Sequence, residues 1–278
     1  MPRRAAIRLL LLLAPLGAGA RGAPATPPPV ATAPPGTVVR WPGAELTGCE
    51  MGGRRWQPFE GACWYAIDLE KQGSVELVRR SSGGVASRRV AVGRYPYPTQ
   101  KLEVEEKYVA PSAEELARIA RDKKRAGTAF ALETPRRFAL PLAPPIEPLP
   151  APGRFGARRI FNGEPRSPHG GADFPAPTGT PVRAAADGRV VVAEEQFFPG
   201  RAVFVDHGDG LISMTFHLSE ILVKEGDEVK RGDLLGRVGA TGRVTGPHLH
   251  FALRWHGARV DPAILLDLPG APAPTEIR

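Results

Sequence analysis

The sequence predicts two mainly β domains, with a single helix at the end of the first. Three observations support this fold class. Residues 37–109 contain short β-branched or aromatic segments between glycine-rich turns, and residues 112–125 carry the signals of one helix. Residues 154–268 contain a repeated β motif. A chain of 278 residues is long enough for one or two domains, so this division is reasonable.

The first twenty residues have the features of a secretory signal peptide. Three arginines precede the apolar run 9–16, and small residues at 18–20 form a cleavage pattern. The apolar run is too short to cross a bilayer and contains a proline. We therefore expect residues 1–20 to be removed. The mature protein is then expected in the periplasm, the cell envelope or the extracellular space, without a stable membrane anchor.

The composition and charge narrow the classes of partner. The chain has 37 Lys and Arg against 29 Asp and Glu, a net charge of +8, which favours an anionic partner. Its content of 42% hydrophobic and 24% charged residues excludes a wholly disordered chain. The basic pairs are scattered and accompany no recognition motif or aromatic series, so nucleic acid is not expected as a partner.

The chain has only two cysteines, Cys49 and Cys63. In an oxidising compartment we expect them to form a disulfide, and two buried thiols are the alternative. Two cysteines are too few for an all-cysteine zinc site. Any metal must therefore be held by His, Asp or Glu.

After a Pro-rich linker at 21–36, residues 37–127 are predicted to form a β-sandwich-like accessory domain plus a helix. Ser112 and Glu115 make a capping box, so the helix begins there and is expected to end near Gly127. This region contains no catalytic grouping of residues. A second Pro-rich linker is predicted at 128–153.

The second domain is predicted at 154–268, followed by a tail at 269–278. Its repeat is a Gly-x-x-Val-basic stretch that leads to Gly-Arg-Val, at 179–190 and again at 226–238. Two similar β-arches predict an all-β core. Carrier domains that bear biotin or lipoate have similar arches, but they need a modifiable lysine at a hairpin tip, and the lysines here flank the arch.

The histidines are concentrated in this second domain. His169 stands four residues before Asp173 in a glycine-rich loop, where glycines allow two side chains to converge on one point. A hydrogen-bonded loop pair is the alternative for these two residues. His248 and His250 share one face of a predicted strand with Arg254, and the other face is apolar. We therefore expect the apolar face of this strand to pack in the core and the face with the histidines to form a functional site.

A further histidine, His217, ends an apolar strand-like segment, where a lone histidine is usually a packing residue. Together, however, His169, Asp173 and one strand histidine supply three ligands and leave the fourth position of a tetrahedral zinc open for water. Two histidines remain for proton transfer. The chain has neither a His-Glu-x-x-His motif nor a Gly-x-Ser-x-Gly motif, which argues against the commonest zinc proteases and against a serine hydrolase.

From about Arg154 to Leu266 the chain resembles the lysostaphin-type, or LytM-like, zinc metalloendopeptidases, which cut peptide cross-bridges in bacterial cell walls. The resemblance implies a two-sheet duplicated hybrid, or barrel-sandwich, fold and peptidoglycan as the partner. The matching motifs, in chain order, are His169-x-Gly171-x-Asp173, Gly179-Thr180-Pro181-Val182, His217-Leu218-Ser219, Gly226-Asp227-x-Val229 and Thr241-Gly242-x-x-x-Gly246-Pro247-His248-Leu249-His250-Phe251.

The resemblance also implies roles for five residues. One zinc ion per chain would be bound by His169, Asp173 and His250, while His217 and His248 would activate water and stabilise the tetrahedral intermediate. The alternative is a non-catalytic LytM-like protein that binds the wall or activates another hydrolase. Such relatives usually lose a ligand, so the intact set favours the enzyme.

Two further residues are predicted to contact the substrate. Thr215 stands where many relatives carry a tyrosine, whose hydroxyl is a potential oxyanion donor. Arg254 lies on the same strand face as His248 and His250, where its guanidinium could hold a substrate carboxylate. An exposed salt bridge is the alternative for Arg254.

Overall fold

A computed structural model describes residues 31–153, 155–266 and 273–277. The predicted signal peptide at 1–20 lies outside these residues. Within the described ranges, no helix combines the length and the apolarity that a membrane crossing needs.

Eight strands form the N-terminal region: β1 (Ala31–Ala33), β2 (Val38–Pro42), β3 (Leu46–Met51), β4 (Arg54–Trp56), β5 (Ala62–Ala66), β6 (Ser74–Ser81), β7 (Gly84–Val92) and β8 (Thr99–Leu102). Five of them make a sheet in the order β1-β7-β6-β3-β4. A disulfide joins Cys49 of β3 to Cys63 of β5. The sheet is the mainly β accessory region that the alternating segments predict.

Strand β5 is buried along its whole length because it has a hydrophobic core on each side. Tyr65 points into the N-terminal core with Trp41, whereas Trp64 packs in the core of the second region beside Trp255. The strand pairs antiparallel with β2, which is shared between the two cores in the same way. The two regions are therefore packed against each other through this pair.

Helix α1 (Ala113–Phe130) begins as predicted and ends later. The Ser112 hydroxyl accepts from the Glu115 N–H at 3.2 Å, and the Glu115 carboxylate accepts from the Ser112 N–H at 2.8 Å. The predicted end near Gly127 is wrong. The helix continues to Phe130, whose ring stacks on Phe204 with centroids 6.1 Å apart, so a tertiary contact compensates for the low helix propensity of glycine.

The segments predicted as linkers and tail differ from the structure. Within 21–36, strand β1 pairs with β7. Within 128–153, the Leu142 side chain is fully buried and its N–H donates to Leu265 at 2.7 Å. Within 269–278, a short strand β20 (Thr275–Glu276) pairs with β2. Proline-rich chain can dock in this way because its carbonyls and its non-proline N–H groups still form hydrogen bonds.

The second region consists of eleven strands: β9 (Arg158–Phe161), β10 (Glu164–Arg166), β11 (Ala172–Pro175), β12 (Pro181–Arg183), β13 (Gly188–Gln196), β14 (Gly200–Asp206), β15 (Leu211–Ile221), β16 (Glu228–Val229), β17 (Leu234–Val238), β18 (His248–Trp255) and β19 (Ala258–Val260). The main sheet runs β11-β18-β15-β14-β13-β16. The two predicted arches pair crosswise, β12 with β17 and β13 with β16. The prediction of an all-β second domain is confirmed.

Strand β18 shows the predicted alternation of core and site. Leu249, Phe251, Leu253 and Trp255 are all fully buried in the large core of the second region. His248, His250 and Arg254 project from the other face and line a cleft. The core therefore lies directly behind the site and supports it.

Candidate metal centre and cleft

The centre of the site is the ligand strand pair, which we define as β11 and β18. These strands are antiparallel, and their register places Asp173 directly opposite His250. His169 lies in the loop before β11, where its N–H donates to Ala157 at 2.9 Å and its carbonyl accepts from Gly156 at 2.8 Å. Regular pairing thus brings two polar side chains together, and the loop adds a third.

The three side chains present a compact set of donor atoms. His169 Nε2 lies 2.8 Å from His250 Nδ1 and 3.1 Å from Asp173 Oδ1, and His250 Nδ1 lies 3.0 Å from the same oxygen. All three residues are buried. Two imidazole nitrogens and one carboxylate oxygen are a donor set that zinc prefers. The residues present therefore fit one zinc ion.

The protonation states also suit a divalent cation. Burial lowers the pKa of His169 to about 4 and lowers the pKa of His250. Burial alone raises the pKa of Asp173, but hydrogen bonds to the two histidines outweigh it and hold this pKa well below its usual range. At neutral pH the set therefore holds two neutral imidazoles and one carboxylate, as metal binding requires.

Gly171 makes room for this arrangement. A Cβ at Gly171 would lie 2.6 Å from His250 Nε2 and 2.7 Å from the Phe251 carbonyl oxygen. At the neighbouring Gly170 the nearest atom would be a side-chain carbon of Arg259 at 3.4 Å, an ordinary contact. Of these two glycines, only Gly171 is required by close packing against the side chain of His250, a candidate metal ligand.

His217 reaches the cleft by an irregular route. Its backbone has φ of 64°, in the left-handed region that few residues other than glycine adopt. In a regular strand, neighbouring residues point to opposite faces. Here both Phe216 and His217 line the cleft, and the Phe216 ring stacks on His250 with centroids 5.0 Å apart. The left-handed backbone of His217 therefore turns its side chain into the cleft, whereas regular alternation would turn it to the opposite face.

The rings of His217 and His248 lie 4.9 Å apart, and backbone carbonyls orient both. His217 Nδ1 lies 2.9 Å from the Thr241 carbonyl oxygen, and His248 Nδ1 lies 2.9 Å from the Gly246 carbonyl oxygen. A carbonyl only accepts, so each Nδ1 carries the proton. His248 Nε2 lies 3.5 Å from Asp173 Oδ1. Burial lowers the pKa of His217 well below its usual value, so this ring is neutral near pH 7 and its Nε2 is a proton acceptor.

The carbonyl that orients His217 belongs to a loop crossing, which we define as residues 198–201 and 241–243. The Thr241 hydroxyl donates to the Leu218 carbonyl at 2.8 Å and accepts from the Arg201 N–H at 2.9 Å. The Arg243 N–H donates to the Phe198 carbonyl at 2.9 Å. These bonds hold the two loops together beside His217.

A cleft of about 350 Å³ opens in front of the two histidines and the metal centre. Helix α1 contributes Ile119, Lys123 and Phe130 to its lining. The helix is held there by the Asp122 carboxylate, which accepts from the Phe197 N–H at 2.7 Å. The accessory region therefore supplies one wall of the cleft.

The two predicted substrate contacts have different environments. Arg254 lines the cleft, where its guanidinium lies over the Phe130 ring at 4.3 Å and donates to the Gly257 carbonyl at 2.9 Å. Thr215 is buried, and its hydroxyl donates to the Val203 carbonyl at 3.3 Å. The cleft lining does not include Thr215. The predicted substrate contact by Thr215 is wrong, because strand alternation turns this residue away from Phe216 and the cleft.

The sequence motifs did not single out Arg243, one of several further polar residues that line the cleft. It occupies one of the three unspecified positions between Gly242 and Gly246 in the motif, so no pattern drew attention to it. The signal was its position only five residues before His248.

The fold and the site define a mainly β protein with a buried His-Asp-His cluster that could hold a metal ion. Residues 167–262 match peptidase family M23. A crystal structure of a candidate peptidase M23 from Pseudomonas aeruginosa is 36% identical, covers 84% of this chain and 94% of its own, and superposes with a TM-score of 0.63. The chain belongs to peptidase family M23.

Two curated relatives match the second region. The peptidoglycan DD-endopeptidase ShyA of Vibrio cholerae is 43% identical over 118 residues, which are 42% of this chain and 27% of that protein. The DD-carboxypeptidase/endopeptidase Mpg of Neisseria meningitidis is 45% identical over 94 residues, which are 34% of this chain and 22% of that protein. The chain thus spans about a quarter of the length of these relatives.

Proposed function

We propose that this protein is an exported zinc endopeptidase that hydrolyses peptide cross-links of bacterial peptidoglycan. The observation that carries the proposal is the buried donor set of His169, Asp173 and His250 beside two further histidines in one cleft. The name of ShyA supports peptidoglycan as the substrate, and the names of both ShyA and Mpg support endopeptidase activity. The basic net charge suits an anionic wall.

The three donor residues would hold one zinc ion through His169 Nε2, Asp173 Oδ1 and His250 Nδ1. When bound, zinc supplies Lewis-acid polarisation of the scissile carbonyl and lowers the pKa of water at the site. Burial against the apolar core lowers the pKa of His169 and His250 and so favours their neutral, metal-binding forms.

His217 and His248 would manage the protons of the reaction. A backbone carbonyl holds the proton on Nδ1 of each ring, which leaves Nε2 of His217 as a proton acceptor and Nε2 of His248 at 3.5 Å from Asp173 Oδ1. One ring takes a proton as water attacks the peptide carbon, and the leaving amine must receive a proton in return. The ring that has taken this proton is positively charged, so it stabilises the charge that develops on the carbonyl oxygen before it gives the proton to the leaving amine.

The test is digestion of purified peptidoglycan by the full mature chain, with the released fragments identified by mass spectrometry. New peptide termini should appear, and both a chelator and Asp173→Asn should abolish them. The position of the new termini separates endopeptidase from carboxypeptidase cleavage. Intact peptidoglycan in the presence of one bound zinc per chain would contradict the proposal and favour a non-catalytic protein that binds the wall or activates another hydrolase.

A further inference from the structure

The guanidinium of Arg243 is the cleft feature that the proposed chemistry leaves unused. Arg243 lines the same cleft as His217 and His248, but it contributes neither to the metal donor set nor to proton transfer. Hydrogen bonds fix the loop around it. The Thr241 carbonyl accepts from His217, and the Arg243 N–H donates to the Phe198 carbonyl. The arginine therefore has a defined position relative to the reacting groups.

Two aromatic rings hold the guanidinium in place. Its central carbon lies 4.7 Å from the centroid of the Phe161 ring and 4.4 Å from that of Phe198. Such contacts use the faces of the guanidinium and leave the N–H donors at its edge available. The side chain is ordered by packing without consuming its hydrogen-bonding capacity.

The charge of Arg243 is not balanced within the described part of the chain. No carboxylate there forms an ion pair with this residue, and no side-chain hydrogen bond involves it. Burial, together with the positive charges of Arg159 and Arg166, lowers its pKa to about 10. Arg243 thus remains protonated at neutral pH, in a basic environment that an anion would neutralise.

We infer that Arg243 binds a free carboxylate of the substrate peptide and so determines which cross-linked peptides the enzyme accepts. The inference rests on the proposed function for its substrate class. Peptide stems offer carboxylates, and a planar guanidinium with its edge open matches a carboxylate with two parallel hydrogen bonds. The opposing interpretation is that Arg243 only fills space between Phe161 and Phe198.

The kinetic test compares two synthetic substrates, a cross-linked stem-peptide dimer with free carboxylates and the same dimer with those carboxylates amidated. Arg243→Gln should raise KM for the free acid by about 10- to 100-fold, the range expected for a charged hydrogen bond, and change KM for the amide by less than about threefold. Arg243→Lys should restore part of the affinity. Lys224→Gln removes the same charge at an exposed position and should leave KM unchanged for both substrates.

If Arg243→Gln raised KM equally for the acid and the amide, Arg243 would have a packing role and the inference would be overturned. An unchanged KM for both substrates would also overturn it. Zinc content and melting temperature of each variant are measured alongside, so that a misfolded variant is recognised. The wild-type chain provides a second test that does not need a variant. The NMR signal of the Arg243 Nε–H group should move on addition of the free acid and not on addition of the amide.

The two readouts separate this inference from the proposed function. A wild-type chain that leaves the dimer uncleaved while the Arg243 signal moves only with the acid would refute the endopeptidase and retain the carboxylate site. Cleavage accompanied by no acid-specific movement of the signal would retain the endopeptidase and refute the site.

Discussion

The ligand strand pair and the loop crossing place their histidines by different physical means. In the strand pair, ordinary antiparallel register sets Asp173 opposite His250. Beside the loop crossing, the left-handed backbone of His217 itself and hydrogen bonds through Thr241 set the position of the His217 ring. The first is local pairing supported by a core, and the second depends on contacts between distant loops. Changes in the two regions should therefore affect different properties.

The largest contrast is expected between His250→Ala and His217→Ala. The first removes one of three metal donors, so zinc and cleavage should both be lost. The second should keep one zinc per chain and lower kcat by about 10²- to 10⁴-fold, the usual contribution of a general base or acid. Metal analysis and peptide cleavage measure the two effects. Loss of zinc from His217→Ala would show that the two regions are not separable.

The next contrast is between the two glycines of the metal loop. Gly171→Ala places a methyl group against His250 and should cost about 1–3 kcal/mol, or about 10- to 100-fold in zinc affinity. Gly170→Ala is the matched control, because its methyl group meets only a flexible arginine at 3.4 Å. A competition titration with a zinc chelator measures both. Equal affinities for the two variants would refute the steric argument.

In the loop crossing, Gly200→Ala should damage stability and leave zinc affinity unchanged. Gly200 has φ of 64°, and a Cβ there would lie 2.4 Å from the Thr241 backbone. We expect a loss of about 1–3 kcal/mol in the free energy of unfolding, with slower cleavage as Thr241 shifts. Gly246→Ala has open space around its Cβ and serves as the control. Denaturant unfolding measures the stability, and metal analysis measures the zinc affinity. A loss of zinc affinity without a loss of stability would contradict this prediction.

The smallest effect is expected from His207, a buried histidine outside both regions. Its ring nitrogens lie 2.8 Å from the Asp187 carbonyl oxygen and 2.8 Å from the Ser213 hydroxyl, and burial lowers its pKa. The unfolded chain therefore takes up a proton more readily as the pH falls below about 6.5. The free energy of unfolding therefore falls by about 1.4 kcal/mol for each pH unit of acidification, for one proton.

His207→Gln should reduce the acid-side slope by about one proton and leave zinc stoichiometry at pH 7.5 unchanged. Denaturant unfolding of the metal-free protein between pH 7 and 5 measures the slope. Parallel curves for the wild type and the variant would show that His207 does not contribute to the loss of stability in acid.

The same division explains which features could be predicted from the sequence. The alternation of β18 predicted both its buried face and its site face, because a strand has a fixed period of two. The substrate contact assigned to Thr215 was wrong for the same reason, since that residue follows the period and His217 breaks it. A local pattern contains no sign of such a break.

The extent of α1 and the fate of the Pro-rich segments also depended on distant contacts. Phe130 extends the helix by stacking on Phe204, which lies 74 positions further along the chain. Leu142 is buried in a core built mostly from later strands. Composition describes a segment's own conformational preferences, whereas these outcomes depend on the surfaces against which the segments pack.

The sequence by itself determined the all-β class of the second region, its repeat of two β-arches and the types of donor side chain, since periodicity and residue chemistry are local properties. Only the tertiary structure decided that a left-handed backbone brings His217 into the cleft, that helix α1 forms one of the cleft walls and that Arg243 lies there against two phenylalanine rings. Each of these depends on contacts between residues far apart in the chain, whose free energies are summed only in the folded protein.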